Sequence, residues 1–178
     1  GLNMVVHKGK TIFVGDTSVH EYPTSEQMAE MAISTARVVR LFGFDPKVAF
    51  VSHSTFGQPL TSRTKHIRKA VDILKEKKVD FEFDGDMQPD VALNPEYKDL
   101  YPFSKIVGKA NILIMPGQHS AAISYKMMKT LGDTKVIGPL LIGLGLPIEI
   151  APLRSSTSEL INLASIAAYS ADVINYKK

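Results

Sequence analysis

The pattern that most narrows the possible folds is an alternation of short apolar runs with longer stretches whose apolar residues recur every three or four positions. "TIFVG" (11–15), "KVAFVS" (47–52) and "NILIMP" (111–116) are too short for ordinary helices, so each reads as a buried strand. Between them lies "TSEQMAEMAISTARVVRLFG", with Met28, Met31, Ala32, Thr35, Val38 and Val39 on one helical face. Thr24 or Ser25 supplies its start signal and Gly43 its stop. "RTKHIRKAVDILKEK" repeats the helical pattern, with Ile67, Ala70, Val71 and Leu74 as its buried stripe. "VDFEF" (79–83) alternates and suits an edge strand, and "SAAISYKMMKTLG" a helix closed by Gly132. "KVIGPLLIGLGLPIEI" holds one or two strands, and residues 157–174 form the last helix. Such repetition predicts an α/β domain over 1–178 in three αβα layers, with a mostly parallel sheet between helices.

Composition excludes several function classes. With 44% hydrophobic and 22% charged residues, the chain has the profile of a globular domain. No apolar run approaches the roughly 18 residues of a membrane span, and the opening "GLNMVVHKGKTIF" lacks a signal peptide's apolar core. The absence of cysteine removes disulfides, thiolate metal sites and a cysteine nucleophile, so a cytoplasmic setting is expected. A net charge of +3 gives little reason to expect a nucleic-acid partner. The charge is unevenly spread: residues 61–78 carry a local +5 and residues 79–100 a local −6. These are either two solvated faces of opposite sign or a basic face that holds a polyanion.

In sheets of this kind ligands bind beyond the carboxyl ends of the strands. The loops there are residues 15–23, 52–59, 84–90 and 116–122. "SHSTFGQPLTS" sets hydroxyls and a glycine ahead of the basic helix, where free N–H groups suit an anion. Gly57 would let the backbone approach a ligand, although P-loop spacing is absent. "GLG" at 143–145 is read as turn glycines, because position 148 is Ile. Asp84, Asp86 and Asp90 lack a histidine partner at helical spacing and are read as loop carboxylates, so no metal site is assigned. His53 and His119 follow strand ends and could meet a ligand; His7, His20 and His66 have no such position.

Two longer pieces are more specific. "DGDMQPDVAL" resembles the D-G-E-M-Q-x-D-A-A-L of the phosphotransacetylase (phosphate acetyl/butyryl transferase) family, and "GKANILIMP…YK" resembles its G-K-A-N-V-L-I-F-P…Y-K. The resemblance runs from about Thr11 to Ala171. "LYPFSKIVGKAN" is closer still to the C-terminal transferase-like region of hybrid bacterial NADP-dependent malic enzymes. The family implies an isocitrate/isopropylmalate dehydrogenase-like architecture of two α/β domains that pairs as a dimer. The chain then corresponds to the second domain, a C-terminal fragment, with residues 151–178 as a terminal loop and helix facing the missing first domain.

The family's catalytic loop reads S-R-G-C-S-x-D-D-I-V-N, in which the arginine binds phosphate and the second Asp deprotonates the thiol. Here the stretch is "PLRSSTSELIN". Anchored on Asn162, the ungapped match places Glu159 at the second Asp, Ser156 at the second Ser, Leu153 at the Arg and Pro152 at the first Ser. A one-residue gap restores Arg154 but leaves Leu153 in the serine position. Ala122 likewise stands where the family has an asparagine. Read without the family, Glu159 and Ser156 or Thr157 are simply an acid and a cap at a helix start.

The resemblance implies a domain that binds acetyl-CoA, as effector or substrate, and assembles homodimers or higher homo-oligomers. Thr55, Phe56 and Gly57 are the expected ligand loop, Arg63 and Lys65 the phosphate partners, and Arg154, Ser156 and Glu159 the cleft residues, with Glu159 the surviving candidate base. NADP, the divalent metal and the oxidative decarboxylation of malate to pyruvate belong to an upstream malic enzyme domain. The alternative is an active phosphate acetyl/butyryltransferase. No membrane partner is expected.

Overall fold

The computed structural model describes residues 1–175. It opens with a hairpin that the sequence reading does not include: β1 (Leu2–His7) and β2 (Lys10–Gly15) pair antiparallel across Lys8 and Gly9, at φ 47° and 73°. There follow α1 (Ser25–Leu41), β3 (Lys47–Val51), α2 (Ser62–Glu76), β4 (Glu82–Met87), α3 (Pro89–Leu93) and a 3₁₀ turn (Pro95–Asp99). The chain then forms β5 (Ile112–Ile114), α4 (Gln118–Leu131), β6 (Thr134–Leu140) and α5 (Thr157–Asn175).

The six strands lie in the order β4-β3-β5-β2-β1-β6. β2, β3, β4 and β5 are parallel, and β1 is antiparallel to both of its neighbours, so β1 alone opposes the other five. The expected edge strand at 79–83 is shifted: β4 is the edge, but it begins at Glu82 and takes in Asp84 and Asp86. Of the stretch 135–150, only one strand forms, and its return is a single bridge between Leu140 and Glu149.

Alternation along the strands builds two cores. Phe13, Phe50, Ile112 and Ile114 point to the face covered by α1 and α2, where they meet Met28, Val39, Ile67 and Leu74. Val14, Ala49, Val51 and Leu113 point to the other face, against Ala92 of α3 and Ala121 of α4. Central strands covered on both sides must be apolar throughout, which is the run pattern in the sequence. Both long helices start with a reciprocal capping box, Thr24 with Gln27 and Thr61 with Thr64. Each such cap is worth about 1 kcal/mol.

α5 packs back on the β6 edge. Leu163 enters the α1-side core, and the Tyr169 hydroxyl donates to the Leu41 carbonyl at 3.3 Å. Its outer residues Leu160 and Ile161 remain exposed, as do Ile123, Met127 and Leu131 of α4.

Candidate functional site

The β3–α2 loop is held from within the domain. Asp86 is fully buried at the end of β4 and accepts from the Ser54 hydroxyl and from the Gly57 N–H at 3.1 Å. The Phe56 N–H donates to the Asp86 carbonyl at 2.7 Å. Thr55 Oγ1 accepts from the Gln88 N–H at 3.3 Å, and the Gln88 side chain donates to the His53 carbonyl at 2.8 Å. The Phe56 ring packs against Tyr101 and Phe103, with centroids 5.6 and 4.8 Å away. The Gly57 N–H, expected to face an anion, donates to Asp86 here. "DGDMQ" thus braces two segments: Asp86 and Gln88 hold the β3–α2 loop, and Asp84 accepts from the backbone N–H groups of Gly85 and Lys105.

The two expected phosphate partners lie on α2. The Arg63 guanidinium sits 5.4 Å from the centre of the Tyr22 ring, which stacks in turn on His119. This trio borders an open hollow of ≈ 340 Å³ with His66 and Pro116. Lys65 is exposed. α2 packs on the β4 side of the sheet, whereas residues 151–159 adjoin β6 at the opposite edge. Neither Arg63 nor Lys65 lines the groove that adjoins residues 152–159. The structure thus does not gather Thr55, Phe56, Gly57, Arg63 and Lys65 with Arg154, Ser156 and Glu159.

The second group stands beside a groove of ≈ 200 Å³ between α4, β6 and the start of α5. One wall is Tyr125, Lys126 and Lys129, the floor is Val136 to Pro139, and the far wall is Pro152, Ser155, Glu159 and Leu163. Ser155 donates both its N–H and its hydroxyl to the Pro152 carbonyl, at 3.0 and 2.7 Å, closing a tight turn. Leu153 is fully exposed on that turn. Arg154 is exposed beside it and makes no ion pair or hydrogen bond among the described residues.

Glu159 is a cap. Its Oε2 accepts from the Ser156 N–H at 2.7 Å and the Ser156 hydroxyl at 3.0 Å, while its own N–H donates to Ser156 Oγ at 3.2 Å. Lys129 Nζ donates to Oε1 at 2.9 Å. The Ser156 N–H first, then Lys129, hold its pKa down at about 2. A general base works best near the operating pH, and a carboxyl held this low is suited to its capping contacts. Glu149 shows the opposite shift. Burial beside Leu146, Ile166 and Tyr169 pushes it up to about 7, against one hydrogen bond from the Leu141 N–H.

Tyr125, Lys126 and Lys129 were not among the expected site residues. "YK" was in view as a family signature, and the spacing of Lys126 and Lys129 puts both on one helical face. Among the described residues no three His, Asp or Glu side chains come together to hold a metal, and no helix is long and apolar enough to cross a membrane.

A family model described as phosphate acetyl/butaryl transferase matches residues 1–168. An NADP-dependent malic enzyme of Rhizobium meliloti is 47% identical over 171 residues, covering 96% of this chain and 22% of that protein. A phosphate acetyltransferase of Bacillus subtilis is 32% identical over 166 residues, covering 92% of this chain and 51% of that protein. The crystal structure of a phosphotransacetylase from Streptococcus pyogenes superposes with a TM-score of 0.91 at 30% identity, over 97% of this chain and 54% of that one. The chain thus spans about a fifth of that malic enzyme and about half of the two transferases.

Proposed function

The chain belongs to the phosphate acetyl/butaryl transferase family, and on that premise we propose that it is the acetyl-CoA-sensing and oligomerising domain of an NADP-dependent malic enzyme, without transferase activity. The observation that carries this reading is the state of the 152–159 loop. The hydroxyl and cation of the family's pair are replaced by Pro152 and an exposed Leu153, and the surviving carboxylate is a cap with a pKa of about 2. An oriented donor or charge of that kind is commonly worth ~10² to 10³ in rate. A groove is present beside that loop, and Lys126 on its rim suits a phosphorylated ligand. An identity of 47% to a malic enzyme along almost the whole chain supports the parent assignment. NADP, the divalent metal and malate decarboxylation then belong to the rest of that polypeptide.

The exposed faces support assembly. Ile123, Met127 and Leu131 on α4, with Leu160 and Ile161 on α5, offer apolar surface of the kind that partners cover. A second copy of the chain, or the preceding part of the polypeptide against residues 151–178, is the occupant in this reading. Ligand binding in the groove then biases the linked domain through a coupling of ~1–3 kcal/mol.

Two assays on the full-length polypeptide test this reading. Calorimetry should detect acetyl-CoA binding, while acetyl-CoA plus phosphate should release thiol only at the uncatalysed rate. Absence of binding overturns sensing, and enzymatic thiol release establishes an active acyltransferase instead.

A further inference from the structure

Between the end of α1, the end of β6 and α5 lies a second cavity, of ≈ 120 Å³, that the acetyl-CoA reading does not use. α1 contributes Val38 and Phe42 to its walls, α5 contributes Ile166, Tyr169 and Ser170, and residues 141–149 close it. The Tyr169 hydroxyl, donating to the Leu41 carbonyl, ties two of these walls together. A bridge between Leu140 and Glu149 folds the closing segment back on the end of β6. That segment inverts the usual order of a surface strand. Ile148 and Ile150 are exposed, whereas the acid between them is half-buried and lines the cavity. One oxygen of Glu149 accepts from the Leu141 N–H at 3.3 Å, and the other has no hydrogen-bond partner among the described residues. Among those residues no Lys, Arg or His lines the cavity. Tyr169 on α5 is its one other titratable group, and α1 and β6 present only apolar side chains there. Carboxylates in apolar surroundings are normally paired with a cation, and these walls supply none.

We propose that this cavity binds a small molecule carrying a primary ammonium on a short apolar stem, with the stem against Val38, Phe42 and Ile166 and the ammonium on the unpartnered oxygen of Glu149. Charge complementarity selects the ligand. The walls hold one acid and no base, so a neutral chain leaves Glu149 unpaired and an anion is repelled by it. An ammonium carries three donors and neutralises the carboxylate in the same contact. The titration of Glu149 agrees: burial holds it at about 7, so neutral and ionised forms coexist at neutral pH for want of a counter-charge. The inference stands apart from the acetyl-CoA reading, because α5 gives Glu159 and Leu163 to the groove and Ile166, Tyr169 and Ser170 to this cavity.

The test titrates the full-length polypeptide with n-butylamine and n-butanol by calorimetry at pH 6 and pH 8. The amine is protonated at both, since alkylamines of the lysine kind titrate near about 10.4. Only ionised Glu149 pairs with it, and the ionised fraction grows about tenfold across that window, so butylammonium affinity should rise about tenfold from pH 6 to pH 8. Close to one proton should leave per ligand bound at pH 6 and almost none at pH 8, read from the heats in two buffers of different ionisation enthalpy. Butanol should show neither effect. Glu149→Gln should weaken butylammonium about tenfold at pH 8, abolish the pH dependence and the proton release, and leave butanol unchanged. Ser170→Leu, which fills the cavity, should weaken both probes. An amine affinity that is flat with pH, or that rises as pH falls, overturns the pairing with Glu149. Butanol binding as tightly as the amine at pH 8 reduces the site to an apolar cavity and overturns it too. If neither variant alters amine binding, or if the amine binds only on dilution to single copies of the polypeptide, the ligand is not held here or a neighbouring copy fills the space, and the proposal fails.

Discussion

Lys129 Nζ lies 2.9 Å from Glu159 Oε1, so one turn of α4 is tied to the first turn of α5 across the mouth of the groove. The same carboxylate caps its own helix through Ser156, so both of its oxygens are already hydrogen-bonded. Glu159 is thus a clasp between two walls of the groove.

Replacing the clasp should therefore cost stability and leave ligand binding nearly intact. Glu159→Gln loses the ion pair and weakens the cap, together about 1 kcal/mol. Because the carboxyl is held at about 2 against an ordinary 4.5, its contribution is present above pH 4.5 and is lost as pH falls toward 2. Urea denaturation should separate wild type from variant at pH 7 and bring them together near pH 2, with acetyl-CoA affinity changed less than about threefold. A larger loss of affinity would return Glu159 to the ligand site.

Glu149 titrates with the opposite sign. Its carboxyl is raised from 4.5 to about 7 by burial, so the fold favours the neutral form. Its contribution is full below pH 4.5 and is lost as pH rises through 7, where a charge must sit beside Leu146 and Ile166. Glu149→Gln keeps an acceptor for the Leu141 N–H and removes that charge. After allowance for solvent screening, the gain at pH 8 is on the order of 1 kcal/mol, or about 2–4 °C in melting temperature, with none at pH 4. Melting curves at the two pH values decide it, and an equal shift at both would mean that titration is not the cause.

The loop that looked most like a ligand cradle should prove most important to folding. Asp86→Ala strips acceptors from the Ser54 hydroxyl and the Gly57 N–H inside a closed site. Leaving buried donors unmet costs about 2–4 kcal/mol. Denaturant titration should register that loss, and limited proteolysis should gain a cleavage point between residues 52 and 59. An equally stable variant with weakened acetyl-CoA binding would return the loop to ligand contact.

These contrasts mark what local sequence can carry. α1 and α2 were legible because their caps and apolar stripes lie within a few residues of each other. Ser156-x-x-Glu159 was legible as a cap for the same reason, and the structure adds Lys129 from 30 residues away. The Asp86 contact of Gly57 was not legible, because a glycine beside hydroxyls looks alike whether it faces phosphate or a carboxylate 29 residues further on. β1 was missed although "HKGK" between two apolar runs carries a hairpin signal, with Gly9 in the left-handed region.

The last prediction separates the two basic faces of the domain. Lys126 borders the groove, and the ion pair on its helix is made by Lys129, which leaves the Lys126 ammonium available to an incoming phosphate. Lys65 is exposed on α2 and does not line the groove. A charge-assisted hydrogen bond to phosphate is worth about 1.5 kcal/mol or more, close to tenfold in affinity. Lys126→Met should thus weaken acetyl-CoA binding about tenfold, whereas Lys65→Met should leave it within about twofold. Since both variants lose one positive charge, a nonspecific field effect would lower both affinities alike, and calorimetry on the pair tells contact from field. If Lys65→Met is the one that fails, the anion lies over α2, and the groove beside α5 is not where the ligand is held.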